Sequence, residues 1–545
     1  MILLFRAITG LARPSAKRYR THARIYFTIS RAGSKYLQKL RDMPSYSYIT
    51  SPLLSNPTAI TEILLVGKHK QDQSTQLNIQ FEKSNPFAEQ LRSGQFTVVV
   101  ECHTPATGQP FDSGVALAQN IAQHVKRLQK VTALAVTDRL QGEERYDPAR
   151  VADILGNAAE KPIVMHLSGK GSSQERVSDQ ISQAASSGIR NILAVTGDRS
   201  HKHPQPHTLN RSPRYEKGYM DSVAILRALA EAQPEFYPGA GVNPYKYNPA
   251  DQYLQYYKMM RKINSGAEFI ITNFGWDMKK LQELQWYLQM RDIGVPVLAR
   301  IGLLTPTEIA ALGDTAVPGV PVSKSFAALL QRESNVNATQ SLAAQMQRLA
   351  LQIVGCRHLG FSGVQLTAIR DAKTLDMILK RADQLAADLH TYADWVQAWN
   401  EHHGELNFAP SSNSYYIFTK LLDPEQQMYD PDNCRMTAHD FPAPRKADRL
   451  WAMTMGRLMS TTAPEFLRDL AIKISCRKCT SIPCDLSYSN SLCPKPCPKR
   501  LVYGACGGSQ ADGTCEFGLQ ICFFQRVLAL ASIHHDFDRL ETPVK

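Results

Sequence analysis

Short apolar runs alternate with longer helical patterns between residues 95 and 370. Each run has the length and the branched apolar composition of a buried strand. Between the runs, apolar residues recur every three or four positions, which is typical of a helix packed on one face. The runs predict eight strands, at residues 97–101, 133–138, 163–167, 191–195, 239–242, 269–273, 296–302 and 363–366.

The order of these elements predicts the fold class. Helical patterns fall between the runs at residues 114–129, 148–158, 174–187, 221–232, 249–265 and 278–292. Alternation of strands and helices favours a parallel sheet. Eight such units within about 280 residues fit a (β/α)8 TIM barrel better than an open doubly wound sheet. No GxGxxG motif follows the first run, which also argues against a dinucleotide-binding sheet.

Polar side chains gather where the predicted strands end. In a TIM barrel these strand ends share one face, and active sites are built on that face. We therefore predict a catalytic mouth there. The residues concerned are Glu101, Thr137, Asp138, His166, Thr196, Gly197, Asp198, Asn243, Asn273, Arg300 and Gln365.

The charge of the chain is concentrated at its N-terminus. The net charge is +13, but residues 1–41 hold ten Lys or Arg and no Asp or Glu, so the remainder carries only +3. A nucleic-acid-binding face on the folded body is therefore not expected. The basic segment fits a mitochondrial transit peptide, an upstream extension with Met43 as the true start, or a disordered tail.

These alternatives set the expected compartment. We expect a cytoplasmic protein, or one of the mitochondrial matrix if residues 1–42 are a transit peptide. No apolar run approaches the ~20 residues that cross a bilayer, so no membrane span is predicted.

The cysteines divide the chain into two parts. Eight of the eleven lie between residues 476 and 522. Without a secretory signal, clustered thiols hold metal more often than they form disulfides. The candidate metal ligands are Cys476, Cys479, Cys484, Cys493, Cys497, Cys506, Cys515 and Cys522.

The spacing of these cysteines leaves the metal open. The first pair is CxxC and the second is CxxxC, whereas a zinc ribbon usually has two CxxC pairs. Pro follows both Cys493 and Cys497, as in cluster-binding runs of ferredoxins. Iron–sulfur clusters, zinc and a tail without metal all remain open. We predict three regions: a basic extension (1–84), a TIM-barrel domain (85–395), and a linker with a small cysteine-rich metal-binding domain (396–545).

Several motifs, in consistent order, resemble methylenetetrahydrofolate reductases. They are residues 96–101, the Thr196-Gly197-Asp198 turn, and residues 221–223, 239–244, 262–267 and 270–273. This resemblance covers roughly residues 85–395. Residues 493–499, 503–508 and 513–516 resemble the cysteine-rich C-terminal domain attached to some of these reductases.

The resemblance implies a flavoprotein of one-carbon and methionine metabolism. Such a barrel holds FAD non-covalently and reduces 5,10-methylenetetrahydrofolate to 5-methyltetrahydrofolate. The electron donor would be NADH or NADPH if the tail is structural. A ferredoxin-like donor becomes an alternative if the tail carries redox clusters. A homo-oligomer is also possible.

The resemblance assigns two catalytic carboxyl groups. Glu101 matches the general acid that helps to open the five-membered ring, a role it can serve if burial raises its pKa. Asp198 matches the aspartate beside flavin and folate. Gly197 would let the backbone approach the flavin closely.

The remaining assignments concern binding. Thr137, His166 and Thr196 match flavin-contacting positions, although better-known members carry Arg where Thr196 stands. Lys262 matches a lysine near the FAD diphosphate. Asn273 stands in place of a pterin-binding glutamine and is one methylene shorter. Phe274 could add an aromatic wall for the substrate, although barrel packing is equally open.

Two other functions compete with this one. A methyl-transfer or electron-relay accessory protein of folate or corrinoid metabolism would keep the clusters on a barrel without reductase chemistry. A structural or nucleic-acid-binding zinc protein would need basic charge on the folded body, and the +3 balance argues against it. Residues 370–470 are rich in helical pattern and aromatics, and we expect them to pack the tail against the barrel.

Overall fold

The fold is known from a computed structural model. The described fold belongs to the unit Asn85–Lys545. Residues 1–83 of the basic extension, Asp138, Cys479 and Cys484 lie outside the described residues. Those described are 84–137, 145–198, 219–232, 236–304, 319, 322–403, 415–425, 441–460, 462–476, 486, 488–518 and 520–543.

Eight parallel strands form a closed barrel, which confirms the predicted TIM-barrel fold. Each strand pairs with the next in chain order, and β1 closes the ring against β8, where Thr97 lies opposite Gly363. The strands are β1 Thr97–His103, β2 Val131–Thr137, β3 Ile163–Ser168, β4 Asn191–Val195, β5 Tyr237–Val242, β6 Phe269–Thr272, β7 Val297–Gly302 and β8 Gly363–Thr367.

Helices alternate with the strands and continue past the barrel. The six predicted helices between strands are confirmed, with ends shifted by no more than a few residues. The helices are α1 Pro86–Arg92, α2 Phe111–Val125, α3 Pro148–Ala159, α4 Gln174–Ser186, α5 Ser222–Ala232, α6 Pro249–Asn264, α7 Met278–Met290, α8 Lys324–Val336, α9 Ala338–His358, α10 Ala372–Asp388, α11 Tyr392–His403, α12 Lys446–Leu458, α13 Glu465–Ser475, α14 Phe523–His534 and α15 Asp538–Glu541.

An aromatic plug fills one end of the barrel. Phe87 of α1 packs edge-on against Phe269 and Tyr237, with ring centroids 5.4 and 6.2 Å apart. Val99, Ala133, Val164, Leu193 and Leu298 belong to the same buried cluster. Because this end of the barrel is filled with apolar side chains, the opposite end is the one that offers room for a ligand.

The C-terminal region docks directly on α6. Arg261 Nε donates to the carbonyl of Thr542 at 2.8 Å, and Asn264 Nδ2 donates to that of Glu541 at 2.9 Å. Gln525 Nε2 donates to Asp251 Oδ1 at 2.8 Å. Charged and amide side chains of one barrel helix therefore hold the last segment of the chain.

The region between barrel and tail is divided between the two. Trp395 of α11 donates from Nε1 to the carbonyl of Leu351 in α9 at 2.9 Å, so this helix belongs to the barrel. Trp451 of α12 donates from Nε1 to the carbonyl of Ser491 in the tail at 3.0 Å. Of these two hydrogen bonds, only the one from the later part of residues 370–470 reaches the tail.

Barrel closure yields a stability prediction. A Cβ added at Gly363 would lie 2.1 Å from the backbone oxygen of Thr97, whereas one at Gly294 would meet nothing within 4 Å. Gly363→Ala must separate β1 from β8, so we expect it to lower the free energy of unfolding by about 2 kcal/mol or more. Gly294→Ala should not destabilise. Denaturant unfolding measures both, and equal stabilities would contradict the argument.

Candidate active site

A cavity of about 180 Å³ lies at the carboxyl ends of the strands. The ends of β2 to β7 contribute most of its wall, and the tail contributes Cys506 and Gly507. Nine residues expected at the site line it. They are Thr137, His166, Thr196, Gly197, Asp198, Asn243, Lys262, Asn273 and Arg300.

Glu101 lies beneath the cavity rather than in its wall. Its carboxylate accepts two bonds of 2.6 Å from Nε and Nη2 of Arg300. Nε2 of Gln365 donates to it at 2.7 Å, and Nε2 of His103 lies 2.9 Å from Oε1. Among described residues, Arg300 is the member of this group that lines the cavity.

These partners reverse the expected effect of burial on Glu101. Burial alone raises the pKa of its carboxyl, but Arg300 and His103 outweigh it and hold the pKa well below the usual range. Glu101 is therefore ionised in this arrangement. The raised pKa that its expected role as a general acid requires is not found.

Asp198 lies in the cavity wall, on the turn after β4. The residue is exposed to solvent, but the surrounding protein still raises the pKa of its carboxyl, and the nearby charge of Glu516 raises it further, against the opposing charges of Lys499, Lys170 and Arg300. The pKa values of the two catalytic candidates thus move in opposite directions. The preceding Gly197 has φ +82°, and a Cβ there would lie 2.6 Å from Cβ of Lys170. A larger residue would therefore disturb this turn.

His166 and Thr137 present neutral polar groups to the cavity. Burial lowers the pKa of His166 to about 4, so its imidazole is uncharged near neutrality. The Thr137 hydroxyl has no hydrogen-bond partner among the described residues. An unpartnered buried hydroxyl is costly unless a ligand satisfies it. These groups suit the polar edge of a heteroaromatic ring.

The hydroxyl of Thr196 already makes hydrogen-bond contacts within the fold. Its hydroxyl oxygen accepts a bond of 3.2 Å from the backbone N–H of Ser222, the first residue of α5. It also lies 3.3 Å from the hydroxyl of Ser222. Thr196 thus fixes α5 to the end of β4.

Lys262 lines the cavity, but its ammonium is engaged. Its Nζ donates to the carbonyl of Gly241 in β5. Burial, reinforced by the neighbouring charge of Lys258, lowers the pKa of Lys262 to about 7. A lysine that is half neutral and bonded to backbone is a weak partner for a diphosphate.

The two expected substrate residues separate. Nδ2 of Asn273 donates to the carbonyl of Gly319 at 3.0 Å, and Asn273 lines the cavity. Phe274 instead packs edge-on against Trp276, with centroids 4.7 Å apart, and Trp276 packs on Phe326. Within the described residues, neither Phe274 nor Trp276 is in the cavity wall, and the contacts of both are with aromatic neighbours.

The residues present fit the ring of a flavin better than the whole of FAD. The free hydroxyl of Thr137, neutral His166 and the guanidinium of Arg300 offer donors and acceptors at the rim of the cavity. The residues that line the cavity therefore suit a ring system, whereas Lys262 in the same wall is a weak partner for a diphosphate.

Four tail cysteines share a second, smaller cavity of about 20 Å³. Cys497, Cys506, Cys515 and Cys522 line it, and burial raises the pKa of all four thiols. Cys506 lines the barrel cavity as well. In the described residues, no group of three or more His, Cys, Asp or Glu is arranged to hold a metal ion.

Sequence reasoning missed the contacts that join distant segments. Arg300 and Gln365 were recognised as strand-end residues, but not as partners of Glu101, which lies 199 and 264 positions away. The contribution of Cys506 and Gly507 to the barrel cavity was also missed. Neither hydrophobic periodicity nor cysteine spacing carries a signal for such contacts.

Two family models match the chain. Residues 87–383 match the model described as methylenetetrahydrofolate reductase, and residues 461–545 match methylene-tetrahydrofolate reductase C terminal. In the described residues, no helix is both long enough and apolar enough to cross a membrane.

Two curated relatives are similar over part of the chain. Methylenetetrahydrofolate reductase 1 of Schizosaccharomyces pombe is 25% identical over 149 residues, which cover 27% of this chain and 23% of the relative. A probable methylenetetrahydrofolate reductase (NADH) of Oryza sativa is 26% identical over 161 residues, covering 27% and 25%. The chain thus spans about a quarter of the length of these relatives.

Solved structures show weaker likeness. A Clostridium thermocellum protein that binds two copies of 5-methyl-5,6,7,8-tetrahydrofolic acid has 10% identity and a TM-score of 0.39, covering 55% of this chain and 99% of its own. Phosphoenolpyruvate phosphomutase from Streptomyces platensis has 12% identity and a TM-score of 0.27, covering 56% and 87%. Such identities are too low for a shared function to follow from them.

The neutral burial of His166 predicts a pH dependence of stability. Its folded pKa of about 4 lies below the ordinary 6.5, so the unfolded state binds the proton first as pH falls. Stability present above pH 6.5 is lost between pH 6.5 and about 4, by about 3 kcal/mol. The stability of His166→Gln should not show this decrease, whereas that of the exposed control His390→Gln should decrease as in the wild type. Denaturant unfolding across this pH range tests the argument, which fails if His166→Gln follows the wild type.

Proposed function

The chain belongs to the methylenetetrahydrofolate reductase family, and on this premise we propose that it reduces 5,10-methylenetetrahydrofolate to 5-methyltetrahydrofolate with a bound flavin. One observation carries the proposal. The strand-end residues expected for flavin and folate converge on one cavity, and the exceptions are Glu101 and Phe274. A bound flavin would supply hydride transfer, which side chains alone do not provide.

The binding roles follow from the cavity wall. Thr137 and His166 would hydrogen-bond a ring edge, since the hydroxyl of the first has no partner among the described residues and the imidazole of the second is neutral. Gly197 has no side chain, so a ring could approach the backbone of its turn closely. Asn273, whose amide stands at the end of β6, would orient the pterin. Lys262 is a lysine of the cavity wall. It would bind a phosphate of the cofactor if its Nζ gave up the hydrogen bond to the carbonyl of Gly241.

The two catalytic carboxyl groups take different parts in the proton step. Asp198 lines the cavity and has a raised pKa, so it donates a proton to N10 of the substrate as the bond from N10 to the methylene carbon breaks. The resulting iminium cation accepts a hydride at the methylene carbon, which becomes the methyl group. Glu101, held as an anion beneath the cavity, keeps Arg300 in place in the cavity wall and offsets positive charge.

Substitution of the two carboxyl groups separates these roles. Asp198→Asn removes the proton donor, so we expect kcat to fall by about 10²–10⁴-fold. The exposed Asp153→Asn is the matched control and should retain wild-type turnover. The assay follows 5-methyltetrahydrofolate formation with NADH, NADPH or a reduced ferredoxin-like protein as donor. Wild-type kcat in Asp198→Asn together with lost activity in Glu101→Gln would transfer the acid role to Glu101.

We also propose a metal centre in the C-terminal domain, held by Cys497, Cys506, Cys515 and Cys522. Their shared cavity supports this choice among the eight cysteines, and metal binding would have to draw the four thiols together, since they are not arranged around a metal ion in this structure. Four thiolates are a ligand set common to iron–sulfur clusters and structural zinc. Cations oppose the effect of burial at this site, because Lys499 lowers the pKa of Cys497 and Cys506. Cys493 lies outside the cavity wall.

Metal analysis tests both proposals on one sample. We expect the anaerobically purified chain to hold iron or zinc. The metal should be lost in Cys497→Ser and kept in Cys493→Ser, because Cys497 lines the shared cavity and Cys493 does not. Iron favours a ferredoxin-like donor, whereas zinc favours NADH or NADPH. Equal metal in the two variants would contradict the four-cysteine assignment.

The same sample separates reductase from accessory protein. Flavin near one per chain supports the reductase. Metal without flavin or turnover favours an electron-relay accessory protein. Because Cys506 belongs to both cavities, a relay role has a structural basis of its own.

A further inference from the structure

A lysine of the C-terminal domain reaches the turn that carries Asp198. Nζ of Lys499 donates to the carbonyl of Gly197 at 2.7 Å, across 302 positions of sequence. Its side chain is 2% exposed and pairs with Glu516, which is 1% exposed. A buried cation bonded to one particular carbonyl fixes that carbonyl in direction as well as in place.

The next residue of the same turn is held by a neighbour of Lys499. The hydroxyl of Tyr219 donates to the carbonyl of Asp198 at 2.6 Å. Nζ of Lys499 lies 4.9 Å from the centroid of the Tyr219 ring, which is a cation–π contact. Successive carbonyls of the Gly197–Asp198 turn are thus held by two side chains that contact each other.

The barrel in turn fixes a tail loop in the cavity wall. Asn243 Nδ2 donates to the carbonyl of Gly507 at 2.9 Å, and Lys246 Nζ to that of Ser509 at 2.6 Å. Lys258 Nζ donates to the carbonyl of Gly504 at 3.0 Å. Three barrel side chains therefore bind backbone carbonyls of one loop. Register between loop and barrel is consequently set by hydrogen bonds as well as by apolar packing.

We propose that the C-terminal domain completes the barrel active site, and that Lys499 is a positioning residue that orients the Gly197–Asp198 turn toward the pterin ring of a reduced folate. The inference rests on the proposed function and deepens it. Asp198 performs the chemistry, while Lys499 acts through the backbone of the turn. On this basis the cysteine-rich domain belongs to the substrate site in addition to holding any metal.

The ion pair between Lys499 and Glu516 determines which variant can isolate the contribution of Lys499. Removing Lys499 alone leaves Glu516 buried without its cation, which destabilises a protein whatever else the lysine does. The double variant Lys499→Met/Glu516→Gln removes both charges and keeps similar volumes. Lys495→Met is the matched control, because Lys495 is exposed and lies four residues earlier on the same segment.

The test measures ligand binding separately from turnover. Full-length chain, wild type and each variant, is titrated with 5-methyltetrahydrofolate by calorimetry, and melting temperature and metal content are recorded. We expect the double variant to keep its metal and melt near the wild type, but to bind about tenfold more weakly. Its KM for 5,10-methylenetetrahydrofolate should rise and its kcat fall, while Lys495→Met matches the wild type.

The outcomes distinguish this inference from the proposed function. If the wild type binds the folate and the double variant binds it equally well with unchanged kcat, Lys499 has no positioning role and the inference is overturned. If the wild type neither binds nor turns over folate, the proposed function itself fails. Should the double variant not fold, Tyr219→Phe decides, because it frees the carbonyl of Asp198 without changing charge. Weaker folate binding in Tyr219→Phe supports the inference, and wild-type binding overturns it.

Discussion

Closure of the parallel barrel is the constraint on which the rest of the structure depends. Because β8 pairs with β1 in the same direction as every other pair, all eight strands end at one face. The aromatic plug around Phe87 and Phe269 fills the opposite end. Polar residues that are far apart in sequence, such as Thr137 and Asn273, are thereby brought to one cavity. The chemistry of the site is a consequence of this closure.

Among the described residues, buried lysines make several of the hydrogen bonds between barrel and tail. Lys246 and Lys258 donate from the barrel to tail carbonyls, and Lys499 donates from the tail to a barrel carbonyl. A buried ammonium is costly unless its donors are satisfied, so each such bond disfavours alternative registers of the tail. Lys258 is also paired with Asp221 at 2.8 Å, which offsets its charge. The tail is therefore seated by geometry that apolar packing alone would not specify.

The sequence predicted the strands and the mouth well because both follow from local periodicity. The run at 191–195 coincides with β4, and His166 and Asp198 lie at the mouth as expected. It could not predict the electrostatic state of Glu101, since this depends on Arg300 and Gln365, which lie on strands reached only after the ring closes. The contacts between tail and barrel could not be predicted either, because they also join residues that are far apart in sequence. Cysteine spacing indicates a shared ligand set, but not which barrel residue a neighbouring lysine will meet.

The two carboxyl groups at the mouth show how one environment can separate acid from anion. Glu101 is buried, whereas Asp198 is exposed at the cavity wall, yet the surrounding protein by itself raises the pKa of each carboxyl. Glu101 receives both nitrogens of a fork-shaped guanidinium and becomes a stable anion. The cations near Asp198 are already engaged, Arg300 with Glu101 and Lys499 with Glu516, so the raised pKa of Asp198 persists. The allocation of cations, rather than the depth of burial, therefore determines which carboxyl group is able to hold a proton for the substrate.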